Sequence, residues 1–307
     1  MAFKYKVNLA PMARITDVAF RSLCVENGAD MTVSELTSAE GLIRHQENSW
    51  KQIIKASNEN NFAIQLFGSK PDSMTKAASL VESKCNIIDV NMGCPVTKVM
   101  DVGAGCELTG NPKLAGEIVR EIVDSVSIPV SAKIRLGIDK PDKALVVSKE
   151  LEKAGASFIT IHGRTQKQGY SGLADWEVIK NVAKEVSIPI IGNGDINSPE
   201  IAKQRLDKDY ISGVAIGRGA SGNPYLFSQV KDFLSNGNYE PLTNQKRSVL
   251  FKRYLELAKE YDIPFLHQKL QAQHVTKGIE GGSKARLMLN DAKNQEELFD
   301  AINSVLN

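Results

Sequence analysis

The chain has 307 residues, with 38 basic against 36 acidic side chains for a net charge of +2, and is 42% hydrophobic and 24% charged. These proportions exclude a disordered chain, any polyanion-binding surface has to be local, and no apolar run approaches the ~20 residues of a membrane span. Four cysteines, Cys24, Cys85, Cys94 and Cys106, none spaced as CxxC, exclude a disulfide framework and leave no zinc pattern, so no metal is expected.

The N-terminal stretch MAFKYKVNLAPMA lacks the apolar core and small-residue cleavage site of a signal peptide, which predicts a cytoplasmic protein. From there, short β-branched runs recur at 7–10, 31–34, 62–65, 87–90, 130–133, 158–161, 190–192 and 213–216. Helix-start signals stand between them, such as Asp17 before VAFRSLCVENG and Asn111-Pro112 before KLAGEIVREIVDS. Strands alternating with helices predict parallel βαβ units, and eight such units over about 230 residues match a (β/α)8 TIM barrel, usually roughly 250 residues. A doubly wound open sheet is the alternative, but Ala10-Pro11-Met12-Ala13 stands where its glycine-rich turn after the first strand would be.

The barrel predicts that chemistry gathers at the C-terminal ends of the strands. The residues there are Pro11, Met12 and Ala13, then Glu35, Gln65, Asn91 with Cys94, Lys133 with Arg135, His162 with Arg164 and Thr165, Asn193-Gly194-Asp195, and Gly217-Arg218-Gly219. Cys94 follows Gly93 on a turn past its strand, where a thiol can face a cleft, although a buried structural cysteine is the ordinary alternative. The glycine-rich seventh and eighth strand ends suit a phosphate, with Arg218 as a guanidinium partner. Gln65 and Asn193 match the donor and acceptor edge of a pyrimidine-like ring, Lys133 suits developing negative charge, and His162 suits either the phosphate or the ring edge.

After PYLFSQVKDFL, the turn-rich stretch 235–241 reads as a linker. It divides the chain into a barrel over 1–240 and a small C-terminal helical domain over 241–307. That second part carries QKRSVLFKRYLELAKEY, LHQKLQAQHVTKG and a last helix over 296–306. Its cations, among them Lys246, Arg247, Arg253, Lys269, Lys277 and Arg286, suit a phosphate-binding face, tempered by Glu256, Glu260 and Asp262.

Several stretches together resemble the tRNA-dihydrouridine synthases: LAPMARITDVAFR, AIQLFGS, DVNMGCPVTKV, SAKIRLG, ITIHGRTQKQGYSGLADW, IPIIGNGDI and AIGRGASGNP. The likeness covers nearly the whole length. It implies an FMN-dependent enzyme, reduced by NADPH or NADH, that passes hydride to C6 of a uridine flipped out of tRNA, with Cys94 as the acid that protonates C5. It also implies FMN contacts from Pro11, Met12, Ala13, Gln65, Lys133, His162, Asn193, Gly194, Asp195, Gly217 and Arg218. Asn91 then holds the uracil, and Arg135, Arg164 and Thr165 lie on the substrate side, with Arg164 near the RNA. A monomer is expected. One departure is Cys106, where the family commonly has a small serine-like residue; a disulfide to Cys94 under oxidation would remove the acid. A flavin oxidoreductase acting on a free pyrimidine, and a non-catalytic tRNA-binding barrel, are the alternatives.

Overall fold

The computed structural model describes residues 3–306, so Met1, Ala2 and Asn307, the outermost residues of the two expected segments, lie outside the described residues. Nine strands form one sheet: β1 (Val7–Leu9), β2 (Thr32–Val33), β3 (Thr37–Ser38), β4 (Phe62–Phe67), β5 (Ile87–Met92), β6 (Val130–Arg135), β7 (Phe158–His162), β8 (Ile190–Asn193) and β9 (Gly213–Ile216). All pairings are parallel in the order β1-β9-β8-β7-β6-β5-β4-β2, with β3 beside β4. The Asp30 N–H donates to Val7 O at 2.8 Å and the Leu9 N–H to Met31 O at 3.0 Å, which brings the first strand round to the second. The eight predicted runs thus form the barrel, and the short β3 is an addition to them.

Alternation along each strand separates two environments. Ile88, Val90, Ala132, Ile134, Ile159 and Ile161 face outward and are buried against the surrounding helices. Inside, an apolar floor of Met31, Ala63, Ile87, Phe158, Ile191 and Ala215 is plugged by Tyr5, with Phe3, Tyr5 and Phe158 meeting edge to face or tilted at 5.3 to 5.8 Å. Above that floor the interior turns polar, which is why β5 and β6 run two residues beyond their β-branched cores. The barrel backbone satisfies itself, and the polar side chains it carries must find partners among one another.

The helical C-terminal region is built from Asn244–Glu260, Phe265–Val275, Gly282–Asp291 and Gln295–Leu306. The third of these was not among the helices expected from the sequence; Gly281 takes φ +73° and serves as its N-cap. The region packs on the barrel's first helix, Val18–Glu26, and Phe251, Tyr254 and Leu255 join the same apolar cluster as Val18, Phe20 and Leu23. Arg253 pairs with Glu26 at 2.7 Å, so it belongs to this junction and leaves the expected phosphate face. No helix among the described residues is long and apolar enough to cross a membrane.

The junction also holds Asp17, which caps its helix by accepting the Phe20 N–H at 2.9 Å and accepts the Tyr254 hydroxyl at 3.1 Å. Burial pushes its carboxyl up to about 7, against the lowering effect of those two donors. A carboxyl raised on folding contributes stability that is fully present below its unfolded value and is lost as pH rises through the folded one. Asp17→Asn keeps a good N-cap and cannot ionise. Its advantage over wild type is therefore expected to grow between about pH 4 and pH 8, by on the order of 2–4 kcal/mol. Thermal unfolding of both proteins across that range checks this, and a constant gap would refute it.

Candidate active site

The C-terminal mouth of the barrel opens into a cavity of about 470 Å³, within the range of small-molecule and cofactor sites. Of the residues singled out from the sequence, Pro11, Met12, Ala13, Gln65, Asn91, Cys94, Lys133, Arg135, His162, Asn193, Gly194, Asp195, Gly217 and Arg218 all line it. Arg164 and Thr165 do not. Tyr170, Val96, Asn197 and Lys277 line it as well, and the chemistry assigned to the barrel rim had left them out.

Cys94 sits on the turn after β5, half-buried, and that turn is held from three sides. Asn91 Oδ1 accepts the Gly93 and Cys94 N–H groups at 3.2 and 3.0 Å. Arg135 Nε donates to Gly93 O at 2.9 Å, and Cys94 O accepts the Cys106 N–H at 3.1 Å. Gly105 is required beside it: at φ +61°, an added Cβ would stand 2.8 Å from Cys94 O. Burial pushes the Cys94 thiol up, with the Val96 backbone and Arg135 opposing. The thiol is therefore protonated at neutral pH.

Cys106 is fully buried, with Sγ turned to Gly137 O at 3.8 Å and Thr109 Oγ1 at 3.9 Å, and burial pushes it up to about 11. Both cysteines are free thiols.

On the facing wall, Lys133 Nζ donates to Asn193 Oδ1 at 3.2 Å, and Asn193 Nδ2 donates to Ala215 O at 2.7 Å. Burial, then Arg135, lower the Lys133 ammonium to about 8, opposed by Asp89. His162 is pulled down to about 2 by burial and by Lys133, Arg135, Arg164 and Arg218, so it is a neutral imidazole. Arg164 Nη1 lies 3.4 Å from His162 Nε2. A guanidinium can only donate, so Nε2 accepts and Nδ1 carries the proton.

Arg164 corrects the expectation that it lies near RNA. It is 1% exposed, and its guanidinium grips Asp195 at 2.8 Å and the carbonyls of Ser171 and Gly172 at 3.2 and 2.6 Å. Thr165, 3% exposed, braces the same loop, exchanging bonds with Gln168 and accepting Arg135 Nη1 at 2.9 Å. Both are scaffolding beneath the mouth. Arg135 lines the cavity, but Nε and Nη1 are engaged with Gly93, Thr165 and Gly169 carbonyls. Glu35 also turns from the cavity, its carboxylate accepting the Arg14 N–H at 2.8 Å.

Asp195 holds the last part of the wall. It accepts the Ala174 N–H at 2.8 Å and Arg218 Nη2 at 3.1 Å. Burial works to raise its carboxyl, but Ala174, Arg164 and Arg218 outweigh it and hold it below its ordinary value. Its charge therefore orients Arg218 and does not itself meet an anion. Next to it, Gly194 takes φ +136°, and a Cβ there would come within 2.5 Å of Ala174. Among the described residues, the N–H groups of Gly194, Gly217 and Arg218 make no hydrogen bond within the chain. Free amides beside an aligned guanidinium form an anion cradle.

A parallel barrel whose mouth combines a protonated thiol, buried amides, a lysine and an anion cradle is that of a (β/α)8-barrel enzyme. The chain belongs to the dihydrouridine synthase family: the family model described as Dihydrouridine synthase (Dus) matches residues 8–306. It is 40% identical over 264 residues to the protein named tRNA-dihydrouridine synthase B of Pasteurella multocida (strain Pm70), covering 85% of this chain and 80% of that one. It is 37% identical over 307 residues to the probable tRNA-dihydrouridine synthase of Aquifex aeolicus (strain VF5), covering 97% and 95%. Among solved structures it is similar to histamine dehydrogenase from Rhizobium sp. 4-9, with a TM-score of 0.56 at 11% identity. That match covers 82% of this chain and 49% of that one, so the likeness is one of fold over about half of the larger protein.

Proposed function

We propose that the protein reduces specific uridines in tRNA to 5,6-dihydrouridine, with FMN as cofactor and NADPH or NADH as reductant. The observation that carries this reading is the meeting, in one cavity, of the Cys94 thiol with an anion cradle at Gly194, Gly217 and Arg218. The three free amides and the Arg218 guanidinium fit a cofactor phosphate, and Gln65, Lys133 and Asn193 fit the polar edge of its ring. When bound, the flavin supplies the hydride for the uracil C5–C6 bond.

The protein's own residues do the rest. Lys133, held near 8 by burial, places a positive charge where the ring gains negative charge. Neutral His162 offers Nδ1–H as a donor without adding charge to a mouth already crowded by Arg135, Arg164 and Arg218. Cys94, kept protonated, delivers a proton to uracil C5, and Asn91 orients the base. A uridine reaches this depth only by leaving its stack.

The helical region contributes Lys277, an exposed residue at the end of its second helix that lines the cavity mouth. It suits the phosphate flanking the flipped nucleotide. Lys277→Ala is expected to raise KM for tRNA several-fold, affect kcat less, and reduce the slope of log affinity against log salt by about 1. Titration of tRNA binding at several salt concentrations checks this. The function itself is tested by incubating unmodified tRNA with the protein, FMN and NADPH and mapping dihydrouridine by position. Its absence, with flavin bound and NADPH consumed, would overturn the tRNA reading and leave a free pyrimidine as substrate.

A further inference from the structure

Beneath the cavity, a buried carboxylate belongs to none of the roles above. Asp89, on β5 two residues before Asn91, is 4% exposed. Its Oδ2 accepts Gln65 Nε2 at 2.7 Å, and its Oδ1 accepts the Ser131 hydroxyl at 2.7 Å. Gln65 Oε1 in turn accepts Asn91 Nδ2 at 2.8 Å, and Asn91 Oδ1 receives the Gly93 and Cys94 amides. These side chains form one continuous hydrogen-bond relay from the barrel interior to the turn that carries Cys94.

The direction of that relay follows from its upper end. Backbone N–H groups only donate, so the Asn91 atom facing Gly93 and Cys94 must be its oxygen. Its amide nitrogen then faces Gln65 and requires an acceptor, which fixes Gln65 Oε1. Gln65 consequently presents Nε2 to Asp89, where an acceptor is required again. If the Asp89 position offered a donor or nothing, Gln65 would turn over or lose its partner. Either change sets two amide nitrogens face to face or unlatches Asn91 from the turn. The Ser131 hydroxyl is the only member that can rotate freely between donor and acceptor.

Resting on the function proposed above, we propose that Asp89 is a positioning residue. Its Oδ2, as an obligatory acceptor, sets the polarity of the Asp89–Gln65–Asn91 relay and thereby holds the Cys94 turn and both ligand-facing amides in one orientation. Gln65 and Asn91 each keep one N–H beyond the relay, and both line the cavity. The relay therefore makes both of them donors toward a ring. The role belongs to the acceptor atom and not to the negative charge, which distinguishes it from a counter-ion for Lys133.

The test compares Asp89→Asn with Asp89→Leu. Asparagine can turn its oxygen to Gln65 and its nitrogen to Ser131, whose hydroxyl rotates to accept; leucine fills the space with no acceptor. Among the described residues Cys94 is the only part-exposed cysteine, so its rate of alkylation by iodoacetamide in the protein without added cofactor reports on the turn directly. Asp89→Leu is expected to speed that alkylation about tenfold. It should lower kcat for dihydrouridine formation about a hundredfold, with KM for tRNA little changed. Asp89→Asn should stay within about threefold of wild type in both readouts. If Asp89→Leu does not fold, Gln65→Met severs the relay one link higher and must give the same faster alkylation. Asn as damaging as Leu would overturn the proposal in favour of a charge role, and so would a Leu or Met variant with wild-type thiol reactivity. Alkylation needs no turnover, so a wrong substrate would leave this result standing.

Discussion

Cys94→Ala is expected to lower dihydrouridine formation by about a hundredfold to ten-thousandfold, the range that a positioned general acid contributes, while the protein still binds flavin. The expectation rests on how the other proton-bearing groups of the cavity are placed: Lys277 stands at its mouth, and the Tyr170 ring lies against the Arg135 and Arg218 guanidinia. Arg135 and Arg218 are guanidinia, and His162, held at about 2, has no imidazolium to give. Lys133, near 8, is committed to Asn193 on the facing wall. The thiol alone combines a labile proton with a place on a mobile-free turn, because Asn91, Arg135 and Cys106 fix the backbone on either side of it. The substitution removes one sulfur from a part-exposed site, so the fold should be untouched. Lys133 loses its proton near 8 and burial raises the thiol above its ordinary range, which predicts a rate that falls with rising pH in two stages, first with the ammonium and then with the thiol. Single-turnover reduction of tRNA by pre-reduced protein separates this step from flavin reduction. A Cys94→Ala protein that reduces tRNA at the wild-type rate would remove the assignment.

Much of this site was legible because a barrel sorts its residues by strand end. The eight β-branched runs located the strands, and the residues singled out at their ends line the mouth, apart from Glu35, Arg164 and Thr165. What misled was treating those polar residues as marking where strands stop. Asn91 and Arg135 lie within β5 and β6, beyond the runs 87–90 and 130–133, since the barrel interior near its mouth is itself polar. Arg164 was misplaced for a related reason. A guanidinium after a strand reads as exposed unless its partner is known, and that partner, Asp195, stands 31 residues away on another loop. Tyr170 left a faint signal in GYSGLADW, but only the fold brings its ring to 4.8 Å from the Arg218 guanidinium and 5.8 Å from that of Arg135. Asp89 gave no functional signal at all. An acidic residue inside an apolar run looks like an edge, and its role exists only through Gln65 on the neighbouring strand.

Arg21→Met is expected to cost about 3–5 kcal/mol of stability, the penalty for leaving a buried charge without its partner. Arg21 and Glu59 are each 1% exposed, behind the strands that begin the barrel, with Arg21 Nε donating to Glu59 Oε1 at 2.9 Å. The pair is saturated on both sides. Arg21 also donates to the carbonyls of Thr16 and Ile54 and lies over the Phe62 ring at 4.8 Å. Glu59 also accepts the Thr32 hydroxyl and the Ala56 N–H. Methionine replaces the stem but none of these donors, so the Glu59 carboxylate stays buried with its main counter-charge gone, and two carbonyls lose their partners. Removing both charges together relieves the larger part of that penalty, because the orphaned carboxylate goes with the guanidinium. Arg21→Met/Glu59→Gln is therefore expected to be more stable than Arg21→Met alone, despite carrying an additional substitution. Urea unfolding of the wild type, both single variants and the double variant closes the cycle. Additive losses would show that the two residues stabilise this corner independently, by packing and backbone contacts, and that their ion pair contributes nothing of its own.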